Sequence, residues 1–199
     1  MLAYVFWHTP RDVDVARYES GLVAFHRALA ASPPEGFASS CSLRVDRPPW
    51  LPEGAAHYLD WYVVAGFGAL DALNKAAVSG PRERPHDAVA ALAGAGTAGV
   101  LGLLAASPAP TGGASGGTRL GIEAPAVGRR SGVELTITMV DKSGGHSYSD
   151  FRRALVDAAP GAACWERQMT LGPGPEYVIV HDRELSLPWP ARVLRAAVV

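Results

Sequence analysis

One pattern occurs twice in this sequence, and a repeat constrains a fold more than any single residue does. Phe25-His26-Arg27-Ala28-Leu29 is echoed by Phe151-Arg152-Arg153-Ala154-Leu155, and Cys41-x-x-Arg44 by Cys164-x-x-Arg167. Around each pair the local signals run strand, helix, strand, strand. The spacing therefore predicts two copies of a small β-α-β-β unit within an α+β chain.

In the first copy, residues 4–8 are aromatic and β-branched, as a buried strand should be, and Thr9-Pro10 stops them. Asp12 or Asp14 can cap the helix that follows. Its apolar stripe is Val15, Tyr18, Leu22, Phe25 and Leu29, and Pro33-Pro34-Glu35-Gly36 ends it. Residues 37–45 and 58–65 read as the next two strands, and residues 69–78 as a short helix. Nineteen uncharged residues, 88–106, follow, rich in Ala and containing Gly94, Gly96, Gly99 and Gly102. They read as a helix lying close against a sheet. With only six residues that gain from lipid, they do not read as a membrane span. The letters Gly94-x-Gly96-x-x-Gly99 match a dinucleotide fingerprint, but not directly after a strand, so that reading is rejected.

Residues 107–117 are a charge-free Pro/Gly/Ser stretch, which predicts a linker over 107–131. It would divide a first unit, 1–106, from a shorter second one, 132–199. Beyond it come a strand at 134–140 and a capping box at Ser147 and Asp150, opening a helix through Phe151 and Leu155. Strands at 164–171 and 177–181 follow. The tail, 190–199, reads as a short helix.

Composition narrows the function classes. The net charge of −1, from 18 basic and 19 acidic residues, leaves no electrostatic footprint for nucleic acid or an anionic membrane. Arg outnumbers Lys sixteen to two amid much Ala, Gly and Pro, the coding bias of a GC-rich bacterial genome. Two cysteines and no visible secretory signal point to a reduced cytoplasm. None of the six histidines has metal-binding spacing, so no metal site is expected.

The order of elements resembles a ferredoxin-like fold. The segment Tyr58-Leu59-Asp60-Trp61-Tyr62-Val63-Val64, leading into Phe67-Gly68-Ala69-Leu70-Asp71-Ala72-Leu73, is similar to the dimeric α/β-barrel superfamily. Its EthD-like and antibiotic-biosynthesis-monooxygenase-like branches are the nearest in pattern. Those proteins usually pair two units, so the resemblance implies that this chain supplies both and closes an intramolecular barrel, with a homodimer as a further possibility. The superfamily hosts cofactor-free oxygenases, haem enzymes and isomerases, so it transfers no single activity. No cofactor is expected, with haem as the alternative.

Strand alternation selects candidate site residues. Leu59, Trp61 and Val63 form one face, expected beneath helices. Tyr58, Asp60, Tyr62 and Val64 form the other, expected to line a pocket between the two sheets. Arg44, Asp60 and Tyr62 would converge there, with Arg167, Ile179 and His181 at matching positions in the second unit. His8 and His181 are then the proton-transfer candidates and Asp60 their orienter. Arg44, Tyr62 and Arg167 would hold the ligand, with Arg44 or Arg167 facing a developing oxyanion. The bland counterpart is an Arg44–Asp60 ion pair that only satisfies the sheet. The resulting expectation is a small-molecule enzyme or binder of secondary or catabolic metabolism. The competing class is a non-catalytic protein whose second unit merely completes the fold. Cys41 and Cys164 are expected to be core residues.

Overall fold

The computed structural model describes residues 1–53, 56–105 and 134–199. The expected linker and domain boundary, 107–131, lie outside the described residues. Eight strands and four α-helices follow one another there. They are β1 (Leu2–Pro10), α1 (Val15–Ala31), β2 (Phe37–Val45), β3 (His57–Val64), α2 (Phe67–Ala77), α3 (Glu83–Ala90) and β4 (Ala93–Ala105), then β5 (Glu134–Val140), α4 (Tyr148–Ala158), β6 (Ala163–Thr170), β7 (Tyr177–His181) and β8 (Ala191–Val198). Asp14 and Ser147 cap α1 and α4 by accepting from the Ala16 and Asp150 backbone N–H groups.

The strands form one closed barrel in the order β1-β3-β2-β8-β5-β7-β6-β4, antiparallel at every seam. The first four strands run β4-β1-β3-β2 and the last four β8-β5-β7-β6, the same order twice. A single chain closes this barrel, so no second copy is needed to complete it. Among the described residues, no helix is long and apolar enough to cross a membrane.

Two elements differ from the sequence expectation for one reason. The run expected as an apolar helix ends α3 and then becomes β4, and the tail expected as a helix is β8. Each lies between two strands: β4 between β1 and β6, β8 between β2 and β5. Barrel closure supplies ladder partners on both edges, and this overrides the weak helical preference of Ala, Leu and Arg. The glycines of β4 allow close approach: a Cβ on Gly96 would lie 2.6 Å from the Phe6 ring.

The interior of the barrel is a packed core, and this inverts the expected faces. Leu59, Trp61 and Val63 point inward, with Ala3, Val5, Trp7, Leu43, Trp165, Val178 and Val180. Trp61 and Trp165 meet edge to face at 5.4 Å across it. Tyr58, Tyr62 and Val64 point outward, beneath α1 and its neighbours Leu73 and Val89. The expectation was therefore shifted by one residue, which turns over every side chain of the strand. Both cysteines are buried, but Cys41 faces the barrel interior whereas Cys164 packs outside it against Phe151 and Leu155. The two Cys-x-x-Arg matches thus lie on corresponding second strands with opposite faces inward.

Candidate functional site

A pocket of about 300 Å³ lies between the outer face of β1 and β3 and the helices α1, α2 and α3. Its walls are aromatic and aliphatic, including Phe6, Leu22, Phe25, Leu73 and Val89, and its floor holds His8, Asp60, Tyr18 and Tyr62. The expected pocket between two sheets is replaced by this one because the space inside the barrel is filled by side chains.

Register explains how the polar floor forms. On β1, His8 pairs with Tyr58 and Phe6 pairs with Asp60, so the outward side chains of both strands alternate into one row. On α1, Tyr18 and His26 are two turns apart and share the buried stripe with Leu22 and Leu29. The helix thereby lowers His26 onto Asp60 and Tyr18 onto His8. His8 Nε2 lies 3.3 Å from Asp60 Oδ1, and His26 Nε2 lies 3.4 Å from the same oxygen. Both contacts are within ion-pair range but off the line of a hydrogen bond, so His8 Nε2, His26 Nε2 and Asp60 Oδ1 remain buried without an aligned partner. The other atoms are satisfied. Tyr62 donates to Asp60 Oδ2 at 3.1 Å, His8 Nδ1 meets the Tyr18 hydroxyl at 2.6 Å, and His26 Nδ1 meets Ser40 Oγ at 2.7 Å.

Stacking fixes the rings. His8 lies between Phe6 and Tyr58, at 4.9 and 5.7 Å, and His26 lies on Tyr62 at 5.1 Å. Burial alone would push the Asp60 carboxyl up, but the charge and contacts of His8 and His26 outweigh it and hold Asp60 well below the carboxylate range. Burial first, and the Asp60 charge second, push the Tyr4, Tyr18 and Tyr62 phenols up, so they remain protonated.

Of the six residues expected at a site, His8, Asp60 and Tyr62 are brought together. Arg44 is not: it is more than half exposed and pairs with Glu19 at 3.5 Å, so the expected Arg44–Asp60 pair is absent. Glu19 also accepts from the Tyr58 hydroxyl at 2.9 Å. Arg167 lies in the other half, donating to the Gly174 carbonyl and pairing with Glu176. His181 lies there too, bonded through Nε2 to Thr138 Oγ1 at 2.8 Å and through Nδ1 to the Arg183 carbonyl. Its burial lowers its pKa, against the raising effect of that carbonyl. Beneath α4 the space is filled by Phe151, Leu155, Cys164 and Ile179, and a polar cavity of about 300 Å³ opens at its edge, lined by Tyr148, Arg152, Glu166, Arg167, Glu176 and Tyr177. Sequence reasoning missed Tyr18, His26 and Ser40. For Tyr18 and His26 the signal was present as two polar residues on an otherwise apolar helical stripe.

Haem does not fit the pocket. Its volume is at the low end for drug-sized ligands, and a tetrapyrrole is larger. On its floor the His8 ring turns Nε2 to Asp60 and stacks with Phe6 and Tyr58. Among the described residues, no group of His, Cys, Asp and Glu is arranged to hold a metal ion.

No protein-family model and no curated protein matches this chain. Solved structures do. An anthrone oxidase-like protein is similar over all of this chain and 91% of its own, with 12% identity and a TM-score of 0.52. A monooxygenase-like protein from Lactobacillus acidophilus aligns with 90% of this chain and 76% of its own, at 12% identity and a TM-score of 0.49. A chlorite dismutase-like protein aligns with all of this chain and 96% of its own, at 11% identity and a TM-score of 0.47. At such identities the likeness is one of fold, and it is the dimeric α/β-barrel fold that the sequence resembles.

Proposed function

We propose that this chain binds a small, flat aromatic molecule bearing a hydroxyl or enolisable carbonyl, and moves a proton on it. The observation that carries this reading is that two buried polar atoms without aligned partners, His8 Nε2 and Asp60 Oδ1, meet on the floor of an aromatic-walled pocket. Buried polar groups are normally satisfied, and a ligand oxygen at that point would satisfy these. The walls supply apolar contact, so the polar groups fix orientation.

His8 is the proton-transfer group in this reading. In the tautomer whose Nδ1–H donates to Tyr18, Nε2 presents a lone pair at the pocket floor. Taking a proton there leaves an imidazolium against ionised Asp60, which stabilises the charge, while the ligand becomes an oxyanion. Tyr62 holds the carboxylate from its other side. We further propose that the two units descend from one duplicated unit, that the second serves to close the barrel, and that the setting is cytoplasmic secondary or catabolic metabolism.

Anthrone is the first molecule to test, because loss of a methylene proton makes it an aromatic oxyanion, and because an anthrone oxidase-like protein has this fold. Ligand-observed NMR should show binding of anthrone and 1-naphthol but not cyclohexanol. Exchange of the anthrone methylene with D₂O should be faster with protein than with buffer, and Asp60→Asn should remove the acceleration. Equal exchange with and without protein, together with no aromatic binding, would overturn the reading.

A further inference from the structure

We propose that His26 is a proton-relay residue behind Asp60, giving a proton taken from the pocket a second route out through Ser40. This inference rests on the proton-transfer role of His8, and its geometry is independent of any ligand. His8 and Asp60 line the pocket, whereas His26 and Ser40 do not. Yet His26 Nε2 approaches the same Asp60 oxygen as His8 Nε2, at 3.4 against 3.3 Å, and its Nδ1 meets Ser40 Oγ at 2.7 Å. A chain of five groups results: Tyr18, His8, Asp60, His26 and Ser40.

The step balances with one proton in and one out. His8 Nε2 takes a proton from the ligand, which keeps the bonding electrons as an anion. Once the two rings turn into line with it, that proton crosses Asp60 Oδ1 to His26 Nε2. His26 then releases its Nδ1 proton to Ser40 Oγ, and the serine hydroxyl proton passes to water. Asp60 is ionised before and after.

Apart from His8 and His26, the titratable groups around Asp60 are phenols and, behind the sheet, one thiol. Tyr4 from β1, Tyr18 from α1, Tyr62 on β3 and Cys41 from β2 all have burial-raised pKa values and stay protonated. Tyr58, also raised, is bonded to Glu19, which Arg44 neutralises. On α3, His86 stands across the Phe25 ring and pairs with Asp87.

The test is an NMR pH titration of the imidazole Cε1–H resonances in the ligand-free protein. A relay makes the two rings a coupled pair, so each resonance should move in both of two steps. In His26→Gln the His8 curve should collapse to a single step, and in Ser40→Ala the His26 steps should shift while the melting temperature stays close to wild type. One independent step for each wild-type ring, or a His26 resonance that does not titrate, overturns the relay. If His26→Gln does not fold, the wild-type curves and Ser40→Ala decide it. Because no ligand is present, a failed relay leaves the binding reading standing, and a failure of aromatic binding leaves these curves unchanged.

Discussion

The His8 imidazole and the Asp60 carboxylate, on neighbouring antiparallel strands, lie 3.3 Å apart, and both are almost wholly buried. A carboxylate in that position is tolerable only because imidazoles stand on two sides of it and a phenol on a third.

Asp60→Asn tests that balance through pH. The folded-state pKa of Asp60 is depressed, so the wild-type carboxylate contributes stability at neutral pH. The contribution begins to be lost as pH falls below about 4, the ordinary carboxylate range, and keeps falling toward its lower folded value. Urea melts from pH 7 to 2 should show a slope for wild type that the variant lacks. At pH 7 the variant should be less stable by about 3 kcal/mol, the low end for breaking a buried pair.

The barrel interior should answer to truncation and not to ligand. Trp61→Ala should destabilise the fold by about 3–5 kcal/mol, as large core truncations do. A double-mutant cycle with Trp165→Ala should return a coupling of about 0.5–1.5 kcal/mol for the edge-to-face pair. Any ligand effect beyond the loss of folded protein would mean that the interior, and not the outer pocket, is the site.

Arg44→Ala should do little. Its partner Glu19 is outside the pocket floor, and exposed pairs contribute less than about 1 kcal/mol. Aromatic binding measured by calorimetry should be unchanged, and a tenfold loss would restore Arg44 to the site.

Neither thiol should react in the native protein. Burial pushes the Cys164 thiol up to about 11, and burial followed by the Asp60 charge pushes Cys41 higher still. A disulfide-exchange reagent at pH 8 should label neither in buffer and both in denaturant.

Local chemistry determined much of this protein. Alternation and stop signals placed β1, α1, β2, β3, α4 and β7 close to where they lie, Ser147 caps α4 as its capping box implies, and Asp14, one of the two aspartates offered, caps α1. Alternation also grouped Tyr58, Asp60 and Tyr62 on one face, because period two is a property of the strand itself. Which side that face turns to was decided only by tertiary structure. Closing eight strands leaves room inside for Trp61, Trp165 and aliphatic side chains, so the mixed face turns outward to α1. Closure likewise made strands of β4 and β8, whose letters suit a helix but whose neighbours offered ladder edges on both sides. The meeting of His8, His26 and Asp60 joins three elements distant in sequence, so no spacing could have announced it.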